Sequence, residues 1–102
     1  NMYILVTGKG DLELCDSDNM RAFSIVLEAR SAPLSGLTEI GALAADNDHY
    51  WLDADAVEEL SGRITDQQWL RDFRAMLESV EPYGYYDRAA NRVKAHVEQA
   101  DA

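Results

Sequence analysis

The 102 residues include nineteen acidic and nine basic side chains, for a net charge of −10, and 47% of them are apolar. A chain of this length suits one core and is short for two, its apolar content argues against wholesale disorder, and its charge opposes nucleic-acid phosphates and anionic membrane surfaces. The expectation is therefore a single α+β domain over residues 1–102, with no nucleic acid and no membrane among its partners.

At the amino end, Asn1 before Met2 reads as a cloning remnant. Tyr3 to Thr7 is a β-rich run, and the glycines of Gly8-Lys9-Gly10 suit a tight connection. Leu12 and Leu14 alternate with Asp11, Glu13 and Cys15 beyond it, so residues 2–7 and 11–15 are expected to form a hairpin. In the next stretch Arg21, Ser24, Glu28 and Ser31 recur at helical spacing. Ser17 or Asp18 offers a cap and Pro33 a stop, which predicts a mostly buried helix over about 18–31. Leu37 to Ala45 reads as a strand weakened by Gly41, and Asp46-Asn47-Asp48 as a turn. His49 to Leu52 returns as a second strand ending at Asp53.

Asp53 is a suitable cap for a helix from Ala54 to Ser61, with Gly62 to end it. The pattern after it is stronger. Thr65 and Gln68 have capping-box spacing, and Ile64 and Trp69 that of a hydrophobic staple. Trp69, Phe73, Met76, Leu77 and Val80 then fall on one face of a helix over 66–80, closed by Pro82 and Gly84. The tail is two-valued: residues 88–100 fit a helix capped by Asp87, or a strand with Val93, Ala95 and Val97 inward. The sum is an α+β fold with a mainly antiparallel sheet of about four strands on two or three helices.

Motif tests remove most catalytic readings. Gly8-Lys9-Gly10 lacks the spacing of a P-loop, and Glu13 stands where a dinucleotide fingerprint needs its third glycine. Asp46-Asn47-Asp48 starts like a calcium loop, but Tyr50, Trp51 and Val57 occupy positions that need an oxygen donor, glycine and glutamate. Cys15, His49 and His96 are too few and too scattered to predict a zinc site or a Cys-His nucleophile. No cofactor and no metal are expected, and the chain leans away from being an enzyme. The longest apolar runs, such as Ile25 to Leu27, are far below the roughly 20 residues of a membrane span. With no secretion signal read and one unpaired cysteine, the expected location is cytoplasmic.

The candidate binding residues are His49, Tyr50, Trp51, Tyr83, Tyr85 and Tyr86, because amphipathic rings carry contact energy and His49 adjoins the densest group of carboxylates. The favoured reading is a non-enzymatic domain acting through protein contacts, as a homodimer or an accessory partner. The alternative is a small-molecule-binding protein or minor enzyme, its pocket walled by aromatics with His49 at the polar end. A third reading comes from the absence of Lys and Arg between Arg30 and Arg63: residues 39–59 as a mimic of a polyanion, or a trap for a basic protein.

Overall fold

The computed structural model describes residues 1–100. Its strands are β1 (Met2–Val6), β2 (Leu12–Cys15), β3 (Phe23–Leu27), β4 (Gly41–Leu43), β5 (His49–Asp53), β6 (Tyr86–Asp87) and β7 (Arg92–Gln99). Its helices are α1 (Ser35–Ile40), α2 (Ala54–Ser61) and α3 (Gln67–Val80), the last running into a 3-10 turn at Glu81–Tyr83. All seven strands join one mixed sheet in the order β2-β1-β3-β7-β5-β4, with β6 added to β7. The α+β class is as expected, while the sheet is larger than the four strands expected and not mainly antiparallel at its centre.

One alternation set builds the core. Met2, Ile4 and Val6 of β1, Ile25 of β3, Tyr50 and Leu52 of β5, and Val93 and Ala95 of β7 are buried and packed with Val57, Trp69, Leu70, Phe73 and Leu77 of the helices. The registers Ile4↔Ile25, Ile25↔Val97, Tyr50↔Ala95 and Leu52↔Val93 place these strand residues on one face of the pleat. All three helices lie on that face. The opposite face carries Tyr3, Leu5, Val26, His49, Trp51, Lys94 and His96, with no helix over it.

The first hairpin forms as expected: Gly10 N–H donates to Thr7 O at 2.8 Å, with φ of 92° at Gly10. The helix expected over 18–31 does not form. Phe23–Leu27 is instead the central strand β3, parallel to β1 on one edge and to β7 on the other. Apolar residues at 23, 25 and 27 satisfy a strand period as well as the polar set satisfies a helical one, and pairing on both edges settles the choice. The strand expected over 37–45 divides: Leu37 and Ile40 turn one helical face inward on α1, and only Gly41–Leu43 pairs with β5. Gly41 is required there, because a Cβ would collide with the Trp51 carbonyl oxygen. The two-valued tail is a strand, with Val93 and Ala95 inward.

The boundaries of α2 and α3 match the sequence, as does Gly62 at the end of α2 with φ of 68°, while their N-caps do not. Asp53 precedes α2 but makes no side-chain cap, and accepts from Arg92 Nε at 2.8 Å instead. The start of α3 is capped by Asp66, whose Oδ1 accepts from Trp69 N–H at 3.0 Å, in place of the capping box expected from Thr65. Ile64 is 55% exposed, so the expected staple is also missing. Trp69 is held otherwise, its Nε1–H donating to Ser17 O at 2.8 Å while its ring stacks on Phe73. The Trp69 N–H, and then the Arg63 guanidinium, hold the Asp66 carboxyl below its ordinary range.

A folded-state pKa below the unfolded one means stability that is present above the unfolded carboxylate pKa of about 3.9 and lost as pH falls through the folded value. Asp66→Ala should therefore lower Tm by about 5 °C at pH 7. Asp66→Asn, which keeps the cap acceptor, should cost less. Calorimetry across pH should show the gap between wild type and Asp66→Ala closing in acid below the carboxylate range.

Candidate functional site

The site arises where the edge of β7 is shared. β3 pairs with its second half, from Ser24↔His96 to Leu27↔Gln99, and β6 pairs with its first residues, Tyr86↔Val93 and Asp87↔Arg92. Between the start of β3 and the start of β6 the sheet opens into a cleft of about 340 Å³. Met20, Phe23, Met76, Val80 and Val93 give its apolar wall on the helix side. Arg21, His49, Tyr85, Lys94 and His96 give its polar and aromatic lining.

Cross-strand register assembles the mouth. His49 faces His96 across β5 and β7, their ring centroids 5.2 Å apart in an edge-on arrangement. Tyr85 stacks on His49 at 6.0 Å. The Lys94 ammonium lies 5.7 Å from the Trp51 ring centroid and 5.8 Å from that of Tyr85, so two aromatic faces hold it from either side.

Asp46 anchors this group from the β4–β5 turn. Its Oδ1 accepts from the N–H groups of Asp48 and His49, at 2.9 and 3.1 Å. Its Oδ2 lies 2.9 Å from His49 Nδ1 and 3.4 Å from Lys94 Nζ. At that distance His49 Nδ1 is not aligned for a directed hydrogen bond. The backbone N–H of Asp48, then Lys94 and His49, hold the Asp46 carboxyl below its ordinary range.

Of the six residues singled out in the sequence, His49, Trp51 and Tyr85 come together here. Tyr50 does not: it is 5% exposed and part of the core. Tyr86 donates its hydroxyl to Asn91 Oδ1 at 2.7 Å, away from the mouth, and Asn91 in turn binds Asp55. Tyr83 is 80% exposed on the 3-10 turn. Cys15 lies on β2, separated from β7 by β1 and β3, and makes no group with the histidines. Among the described residues no three His, Cys, Asp or Glu side chains gather as a metal would need. The Gly8 N–H is occupied by Glu28 Oε1 at 2.7 Å, a carboxylate where a phosphate loop would hold its anion.

Arg21, Phe23 and Met76 were not foreseen as site residues. Arg21 belongs by spacing to the wet stripe of a helix that does not form, and the alternation through Phe23, Ile25 and Leu27 is the signal that places it just ahead of a strand. Comparison with known proteins gives no relative: no family model matches, and no curated protein or solved structure is similar to the chain.

Asp46→Ala removes two turn hydrogen bonds and the counter-charge of Lys94 together. It should broaden or shift the amide resonances of residues 46–49 and of Lys94 in a heteronuclear NMR spectrum, with the helix resonances unmoved. Spectra differing only at the substituted residue would show that Asp46 does not organise the mouth.

Proposed function

We propose that the chain is a small-molecule-binding domain whose ligand occupies the cleft between β3 and β6. The observation that supports this best is the composition of its wall: apolar side chains on the helix side, and two imidazoles, a lysine, an arginine and a tyrosine converging at the mouth. Ligand sites combine a concave apolar surface with a few convergent polar groups in this way, and the volume is at the small end of their range. The ring of Tyr85, held against His49 and Lys94, would cover one side of a bound molecule.

A thermal-shift screen of small aromatic and aliphatic metabolites tests the reading. A ligand at one hundred times its Kd stabilises by about 2.7 kcal/mol, a shift of several degrees for a chain of this size. Ala22→Trp, at an exposed position on the cleft's rim, should keep the fold and abolish the shift. A shift that survives this substitution would place binding elsewhere.

The uncovered face of the sheet favours a second reading, association with another copy of the chain. Tyr3, Leu5, Val26 and Trp51 sit there half-buried, without a helix against them. Arg92 and Lys94 lie on the same face as Glu13 and Glu98, so a two-fold pair could match opposite charges. Sedimentation equilibrium should give a dimer mass that Leu5→Asp returns to a monomer. A monomer mass for the wild type at about 100 µM, a concentration that reveals even weak interfaces, would reject it.

A further inference from the structure

We infer that the ligand of this cleft is an amphipathic monocarboxylate, with an apolar body against Phe23, Met76, Val80 and Val93 and its carboxylate among Arg21, Lys94, His49 and His96. The inference rests on the cleft being a ligand site and concerns the charge of what it takes.

In a chain of net charge −10, cationic groups are scarce. Among the described residues Arg63, Arg74, Arg88 and Arg92 are each held by a carboxylate at a direct hydrogen-bonding distance. Arg21 lines the cleft and forms no ion pair among the described residues. Lys94 has a carboxylate only at 3.4 Å, and shares that oxygen with His49, so its ammonium retains donors for a second acceptor.

Asp46, the carboxylate that contacts His49 and Lys94 at the mouth, is already engaged by two backbone N–H groups as well as by those two side chains. A cationic ligand would meet Arg21 and Lys94 with no free acceptor of opposite charge. A neutral one would leave both cations without the anion they can accommodate.

Three probes with one apolar body separate the outcomes: 3-phenylpropanoate, 3-phenylpropanamide and 3-phenylpropylammonium, titrated by calorimetry and by chemical-shift mapping. The carboxylate should bind about tenfold more tightly than the amide, the size of one charge-assisted hydrogen bond, with shifts at His49, Tyr85, Lys94 and His96. Arg21→Gln, at an exposed position, should erase most of the carboxylate's advantage over the amide. Equal binding of carboxylate and amide, or tighter binding of the ammonium, overturns the inference while leaving the cleft as a ligand site. Binding of none of the three overturns both.

Discussion

The structure depends on β7 having neighbours along both edges. Val93 is flanked by Leu52 of β5 on one side and Tyr86 of β6 on the other, while His96 lies between His49 of β5 and Ser24 of β3. The other edge belongs first to β6 and then to β3, two strands that must occupy the same lane of the sheet, about 4.8 Å from β7. They cannot overlap, so the lane is interrupted where one starts and the other starts from the opposite direction. The cleft is this interruption, and its position follows from strand pairing. Lys94 N–H donates to Tyr85 O at 2.8 Å, which brings Tyr85 to the rim ahead of β6.

The same strand decides which side chains face which way. Val93 and Ala95 go to the helices, and Lys94 and His96 to the uncovered face, because successive residues alternate. The Tyr50-Trp51 pair obeys the same rule on β5, with Tyr50 in the core and Trp51 beside Lys94. A one-residue slip of β7 against β5 would exchange the two sets and dismantle core and site together. Hydrophobic burial at Val93 and Leu52 therefore fixes the register that places His49 opposite His96.

Much of this was legible in the sequence, and the parts that were not share a cause. The first hairpin, β5, α2 and α3 were readable because their local period, turn residues and length agreed with one another. His49, Trp51 and Tyr85 stood out by chemistry, as polar rings beside carboxylates do, and the fold brings the three together around Lys94. The helix expected over about 18–31 gives way to β3 because polar groups at helical spacing overlay an apolar alternation, and only pairing with β1 and β7, about twenty and seventy residues away, distinguishes the two. The same overlay hides Arg21 from the site. The N-caps of α2 and α3 differ from expectation for a similar reason. Asp53 was claimed by Arg92, and Asp66 was secured by Arg63, which also binds Asp18 and Ser17 of the loop before β3.

Long-range pairing also changes the meaning of the acidic segment. Residues 31–62 hold seven carboxylates and no Lys or Arg, which in sequence resembles a polyanionic surface. In the fold the cations come from the last third of the chain: Lys94 to Asp46, Arg92 to Asp53, and a two-pronged Arg74 to Glu58, which is only 9% exposed. Asp55 is engaged as well, by Asn91 at 3.1 Å. The exposed pairs, Lys94 with Asp46 and Arg92 with Asp53, contribute little stability each, so their effect is on the distribution of charge more than on the strength of the fold. They remove three carboxylates from the set that a basic partner would meet. They engage Lys94 only in part, and at the cleft Arg21, like Lys9, Arg30 and Arg71 elsewhere, forms no ion pair among the described residues.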